Sequence, residues 1–331
     1  MKLLNSEYEL AGKIDLVYID PPFSTNTVFR ASENRAATVS FSKDDDVAYT
    51  DDLKGGEFIE FLRERIILIR ELMADTGSIY LHIDYKIGHY VKVMMDEIFG
   101  LDNFRNDISR IKCNPKNFSR KAYSNIKDMI LFYTKGKDYV WNEPAEKMSG
   151  ADINRLFNKI DRDGRRYTTN PLHAPGQTIN GKSGQKWKGM LPPKGRHWRY
   201  APEVLEELDK QGLIEWSRNG VPRKIIFADE YGMKRIQDIW EFKDSQSVSY
   251  PTEKNLDLLK LIINTSSNKD QLVMDCFCGS GTTLYAAAFF GRHWIGIDQS
   301  EAAIKATKKK LSEHQPSLFE NYFEYSYIEE Q

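Results

Sequence analysis

Apolar positions along this chain follow two alternating rhythms. Short continuous apolar runs, "KIDLVYI" from Lys13 to Ile19, "SIYLHID", "NDISRIKC", "DMILFYTKG", "QLVMDCF" and "HWIGID", have the length and β-branched or aromatic content of strands. Between them lie stretches with helical spacing. In "EFIEFLRERIILIRELM" the positions Phe58, Phe61, Leu62, Arg65, Ile66, Ile69, Leu72 and Met73 recur at that spacing, and Gly77 reads as its cap. "GHYVKVMMDEIFG", "LDLLKLIINTSS", "GTTLYAAAFFG" and "EAAIKATKKKLSEH" read the same way. Strands alternating with helices predict an α/β fold with a parallel or mixed sheet covered by helices.

The rhythm fails from about Trp141 to Tyr250, where Pro, Gly, Trp, Arg and Lys dominate. One sheet interrupted by an irregular insert is the simplest organisation. It divides the chain into 1–140, an insert at 141–250, and 251–331. With 331 residues there is room for one large domain or two modest ones. No apolar run approaches the roughly 20 residues of a membrane span, and the N-terminus lacks an h-region. Three cysteines, Cys113, Cys276 and Cys278, are too few for a disulfide framework and fit a reducing cytoplasm. Cys276 and Cys278 have no matching second pair, so no zinc site is expected.

The net charge of −1 argues for no partner by itself. Its distribution does. From Arg155 to Arg199 there are 11 Lys/Arg against Asp161 and Asp163, a local +9, with Trp187, His197 and Trp198 interleaved. Such a stretch suits phosphate contacts and base readout. Lys186, Lys188, Arg196, Trp198 and Arg199 are the candidate DNA contacts.

Two strand ends carry candidate chemistry. The first strand stops at "DPPF", Asp20, Pro21, Pro22 and Phe23. Proline fixes φ and offers no N–H, so the strand ends abruptly and its last groups are held rigidly at the sheet edge. Asp20 and the Pro21 carbonyl are two acceptors for one exocyclic amino group, and Phe23 offers a face for a planar base. In "MDCFCGSGTT", Asp275 ends a strand, Gly279 and Gly281 permit a tight turn, and a helix begins. That turn lets backbone approach a ligand at a helix N-terminus. Asp298 ends the next strand, where an acid can take both hydroxyls of a ribose. The third glycine of a dinucleotide fingerprint is replaced by Leu284, so a nucleoside without pyrophosphate fits better. His82 and His173 are candidate ligands or bases, and His82, at a strand end, reads rather as a structural histidine.

Together these motifs resemble the β-class amino DNA methyltransferases, in the type III-like branch of the restriction-modification methylases. There the Asp-Pro-Pro-Phe/Tyr segment comes first, then target recognition, then the Phe-x-Gly-x-Gly loop. "YPTEKNLDLLKLI" resembles the family's Pro-Thr-Gln-Lys-Pro segment, departing at Glu253 and Asn255. A family Gly-Asp segment expected upstream has no counterpart in "MKLLNSEYELAG". The resemblance implies a Rossmann-like sheet binding S-adenosylmethionine with Asp275, Phe277, Cys278, Gly279, Ser280, Gly281 and Thr282. It puts Asp275 at the cofactor's amino group, Asp298 on the ribose, and Thr252 and Lys254 near the carboxylate. It implies a flipped base in double-stranded DNA, direct methyl transfer that needs no metal, and a second copy or a restriction subunit as partner. An Asp in first place goes mostly with adenine N6 in this family, with cytosine N4 the alternative. A catalytically silent DNA-binding specificity subunit is the rival from another class.

Overall fold

A computed structural model describes residues 2–22, 28–31, 46–50, 55–115, 119, 121–244, 253–313 and 326–328. Phe23 and Thr252 therefore lie outside the described residues. The chain divides into a unit formed by Met1–Pro144 with Gln237–Gln331, and a second unit, Ala145–Ile236.

The first unit is built on seven strands: β1 (Ile14–Ile19), β2 (Met73–Ile83), β3 (Phe104–Ile111), β4 (Lys127–Thr134), β5 (Ile239–Glu241), β6 (Leu272–Asp275) and β7 (His293–Gly296). Their order in the sheet is β5-β3-β4-β2-β1-β6-β7. All pairs are parallel except those of β4, which runs antiparallel to both β2 and β3. Six strands thus end at one edge, and β4 begins there. From β1 the chain passes by α1 (Gly55–Leu72) to β2 on one side, and returns to the other side of β1 only at β6. That change of direction opens a crevice at the carboxyl ends of β1 and β6, the usual ligand position in such sheets.

The helices form where the apolar spacing placed them: α1, α2 (Gly88–Phe99), α3 (Leu256–Ser266), α4 (Thr282–Phe289) and α5 (Glu301–Glu313). In α1 the buried residues Phe58, Leu62, Ile66, Ile69 and Leu72 form one stripe, packed in the same cluster as Val17, Ile79 and Leu81. Each such side chain contributes about 1.5–3 kcal/mol by leaving water. Asn255 caps α3 by accepting from the backbone of Asp257 and Leu258. The departure from the family's proline at that position therefore has a local function.

Gly77 does not cap α1. The helix ends at Leu72, β2 begins at Met73, and the β1–β2 register shifts between Ile14 and Leu16. A Cβ at Gly77 would lie 2.8 Å from the Ala74 carbonyl oxygen and 2.9 Å from that of Ile14. The glycine is required by this close backbone approach inside the strand, not by a left-handed cap.

The second unit has order that apolar periodicity did not reveal. A four-stranded antiparallel sheet runs Ile214–Trp216, Pro222–Phe227, Arg166–Pro171, Lys159–Ile160, and a helix spans Pro202–Lys210. Its core is Leu172, Trp187, Trp198, Leu205 and Ile214. Strands of two to six residues around indoles leave no long period to read.

Candidate active site

Asp20 follows the last residue of β1, and Pro21 behind it is buried. The two oxygens of Asp20 have different surroundings. Oδ2 is 2.8 Å from the Lys254 ammonium. Oδ1 is buried and has no hydrogen-bond partner among the described residues, with His82 Nδ1 4.0 Å away. A buried carboxylate oxygen without a donor costs free energy unless one is supplied. One oxygen is anchored by Lys254, and the other is an unsatisfied acceptor.

Behind Asp20 lies a buried polar chain that crosses four strands. The parallel and antiparallel registers put Tyr18 of β1 beside Tyr80 of β2, His82 opposite Ile130 of β4, and Arg110 of β3 opposite Asp128. His82, fully buried, has Nδ1 2.9 Å from the Tyr18 hydroxyl and Nε2 3.2 Å from Asp128 Oδ2. A carboxylate can only accept, which assigns the proton to Nε2 and leaves Nδ1 to accept from Tyr18. Burial, then the Lys254 charge, lowers the His82 pKa, so it is neutral near pH 7. Burial raises the Tyr18 pKa, which keeps that hydroxyl a donor. Burial alone would raise the Asp128 pKa, but hydrogen bonds from His82 and Lys112 hold it well below the usual carboxylate range. Lys112 Nζ sits 2.6 Å from Asp128 Oδ1. Arg110, fully buried, lies 3.6 Å from Asp128 and also bonds the Phe242 carbonyl and Asp244. His82 is thus the structural histidine that its strand-end position predicts.

The glycine turn lies at the end of β6. Gly279 (φ +52) and Gly281 (φ +74) take left-handed conformations open to glycine. A Cβ at Gly281 would come within 2.7 Å of Thr307. Asp275 is 2% exposed, and both its oxygens are used inside the turn: Oδ1 accepts from Phe277 N at 3.0 Å, Oδ2 from the Thr283 hydroxyl at 2.6 Å. Burial pushes its pKa up to about 7. This carboxylate holds the loop's shape. Asp298 accepts from Gly279 N and Ser300 N, both at 2.9 Å, and burial raises its pKa. Each Asp298 oxygen keeps a second lone pair for a hydroxyl. Phe277 is half-buried, its ring 6.1 Å from that of Phe61. Cys278, Ser280 and Thr282 are buried, and burial pushes the thiols of Cys276 and Cys278 up in pKa, which leaves them protonated and poor metal ligands.

Two lysines lie at this edge. Lys254 was expected at a carboxylate beside the glycine turn, and it pairs with Asp20. The cation at the turn is Lys310 of α5. Its ammonium is 2.8 Å from the Thr282 hydroxyl and 3.3 Å from that of Ser280, and it pairs with Glu253. Its position among "KATKKKL" gives no sign of this, since three adjacent lysines read as a solvated helix face. Arg110, Lys112 and Asp128 were missed for a similar reason: their partners lie on neighbouring strands rather than nearby in sequence.

In the second unit, Trp198 is a core residue. It is 2% exposed and its indole N–H donates to the Gln185 carbonyl at 3.0 Å, so it cannot stack on a base. Lys188 is paired with Asp209. The local +9 is also reduced by acids beyond the window: Lys159 pairs with Glu215, Arg165 with Asp229 and Glu230, and Lys182 with Glu203. Lys186, Lys194, Arg196 and Arg199 remain exposed and form no ion pair among the described residues. Arg196 contacts His173 Nδ1 at 3.1 Å, and Arg199 donates to the Pro171 carbonyl.

A family model described as DNA methylase, of the N6/N4 type, matches residues 14–309. The type II methyltransferase M.EcaI of Enterobacter cloacae is 42% identical over 91% of this chain and 65% of its own length. The type II methyltransferase M.KpnI of Klebsiella pneumoniae is 27% identical over 83% of this chain and 71% of its own. The Mod subunit of the type III restriction-modification enzyme StyLTI of Salmonella typhimurium is 26% identical over 83% of this chain. This chain covers 46% of that subunit, so it spans between about half and 71% of these relatives. The matched region runs from β1, through Asp20 and the glycine turn, into α5, and the chain belongs to the N6/N4 DNA methylase family.

Proposed function

We propose that the chain transfers a methyl group from S-adenosylmethionine to the exocyclic N6 amino group of an adenine flipped out of double-stranded DNA. The observation that carries the reading is Asp20: one carboxylate oxygen tied to Lys254, the other buried without a partner among the described residues, at the crevice beside the glycine turn. The residues at the turn fit the cofactor. Asp298 retains lone pairs for ribose hydroxyls, and α4 presents its N-terminus beside them. When bound, the cofactor supplies an activated methyl group on a cationic sulfur.

The chain's own residues position and polarise. Asp20 Oδ1 and the Pro21 carbonyl accept from the amino group, which localises the nitrogen lone pair for attack. Lys254 fixes the carboxylate so that the same oxygen always faces the base. Phe23 supplies the stacking face, and removal from the duplex is required for an amino group to reach this edge. The unit Ala145–Ile236 serves target recognition, with Lys186, Arg196 and Arg199 as its DNA contacts. The type III Mod relative supports a restriction subunit as a partner in the same system. Asp as the first residue of the motif supports adenine over cytosine.

The test is incubation with labelled cofactor and duplex DNA, followed by hydrolysis to nucleosides. N6-methyladenine is expected, and Asp20→Ala is expected to lower the rate by about 10² or more while cofactor binding survives. N4-methylcytosine as the product would overturn the base assignment. Near-normal turnover in Asp20→Ala would overturn the role of Asp20.

A further inference from the structure

Lys310 presents an electrostatic conflict. Helix N-termini carry the positive end of the macrodipole and attract anions. Yet the Lys310 ammonium is directed onto the first turn of α4, 2.8 Å from Thr282 Oγ1 and 3.3 Å from Ser280 Oγ. Its side chain is only 12% exposed. A partly buried cation at the positive end of a helix requires an anion between or beside them. Glu253 provides it, its carboxylate paired with Lys310 and 20% exposed. Ammonium, two hydroxyls and a helix N-terminus lie together as the parts of a receptor for one carboxylate, and the chain's own glutamate is paired with the ammonium.

The neighbouring residues exclude the alternative cation. Lys254, one residue further on, is committed to Asp20 at 2.8 Å, and Asn255 is fixed as the cap of α3. Three consecutive side chains point to three destinations, and Glu253 is the one directed at the glycine turn.

We propose that Lys310 binds the carboxylate of the cofactor's methionine portion, and that Glu253 is a resident carboxylate which must release Lys310 for the cofactor to bind. The inference rests on S-adenosylmethionine being the cofactor. It adds a residue the motifs do not indicate, and a barrier to cofactor entry set by the chain itself. Exchange of one carboxylate for another leaves the charge at the turn unchanged, so the receptor is never left with an uncompensated ammonium.

The experiment is calorimetry on the full chain with two ligands. S-adenosylhomocysteine carries the amino-acid carboxylate, and 5′-methylthioadenosine shares the nucleoside but lacks it. Lys310→Gln is expected to weaken S-adenosylhomocysteine by about tenfold or more, as for loss of a charge-assisted hydrogen bond. It should leave 5′-methylthioadenosine within about twofold. Lys310→Arg should restore most of the loss. Glu253→Gln should tighten S-adenosylhomocysteine several-fold and leave 5′-methylthioadenosine unchanged, because the competitor has lost its charge. Equal weakening of both ligands by Lys310→Gln would make Lys310 a prop for the loop and overturn the proposal. So would weaker S-adenosylhomocysteine binding in Glu253→Gln, which would place Glu253 on the cofactor's ammonium. If the wild-type chain binds neither ligand, the cofactor reading itself fails, and this inference with it; the wild-type titration therefore separates the two failures.

Discussion

Replacing Asp275 by asparagine removes a titrating group and little else. The amide side chain keeps an oxygen for the Phe277 N–H, and its NH₂ can donate to the Thr283 hydroxyl. In the wild type, burial places the Asp275 pKa at about 7 against an ordinary carboxylate value of 3.8. The folded chain therefore retains a proton that the unfolded chain has lost between about pH 4 and pH 7. Proton uptake favours the folded state at the acid end, so this group's contribution is fully present below the unfolded pKa and vanishes as pH rises through about 7. The whole span is about 3 pK units, or about 4 kcal/mol, and the part lying between pH 5 and pH 8 is about 2.5 kcal/mol. Urea unfolding of both proteins at pH 5 and pH 8 isolates the group, because all other titrations cancel in the comparison. Wild type should lose about 2.5 kcal/mol more than Asp275→Asn over that interval. Parallel pH profiles would refute the burial argument. Titrating both with S-adenosylhomocysteine adds a functional arm. A ligand ammonium resting on Asp275 would expel its proton, and wild-type affinity would gain with pH relative to the variant. With Asp275 2% exposed and both oxygens used within the turn, no such gain is expected.

Asp128→Ala removes the acceptor shared by His82, Lys112 and Arg110, and leaves a fully buried guanidinium short of a counter-charge. Urea denaturation should show a loss of about 3–5 kcal/mol; a loss under about 1 kcal/mol would mean that Asp244 alone suffices for Arg110. Trp198→Ala should destabilise the Ala145–Ile236 unit by about 3–5 kcal/mol, read by limited proteolysis and tryptophan fluorescence, and not relax sequence choice in a folded chain. Replacing Lys186 and Arg199 together by Ala should flatten the slope of log K against log salt by up to about 2 for any duplex. Lys188→Ala should leave that slope unchanged, because Asp209 already neutralises Lys188.

What was legible in the sequence followed from local physics. A run such as "DLVYI" ended by two prolines can only be a strand that stops, and the turn around Gly279 and Gly281 follows from the left-handed backbone that glycine permits there. The helix α1 was legible because its buried stripe recurs along 18 residues. Where the stabilising contact lay far along the chain, less could be read. Gly77 read as a cap because the Ile14 carbonyl it must approach is distant in sequence and adjacent only across the β1–β2 register. Trp198 read as a DNA contact because an indole among arginines looks the same whether it faces solvent or Trp187, whose ring lies 6.0 Å away. The pairings of Lys254 with Asp20 and of Lys310 with Glu253 were not legible, because charge spacing along the chain does not report which carboxylate lies nearby in the fold.

The overall charge is silent because two opposite balances cancel in it. A net charge of −1 favours no polyanionic partner. Divided at the fold's own boundary, Ala145–Ile236 holds 18 Lys/Arg against 11 Asp/Glu, net +7, and the remaining residues therefore carry −8. Several lysines and arginines of the basic unit, Lys159, Arg165, Lys182 and Lys188 among them, are paired within it, while Lys186, Lys194, Arg196 and Arg199 are exposed and form no ion pair among the described residues. At the sheet edge the balance is opposite. Asp20 and Glu253 are matched by Lys254 and Lys310, while Asp275 and Asp298 accept hydrogen bonds from uncharged donors among the described residues. Asp275 is buried with its pKa raised to about 7, so the carboxyl group this edge offers to a cationic ligand is that of Asp298. In the proposed reaction the polyanion would meet the basic unit, and the cationic methyl donor the acidic remainder, of one nearly neutral chain.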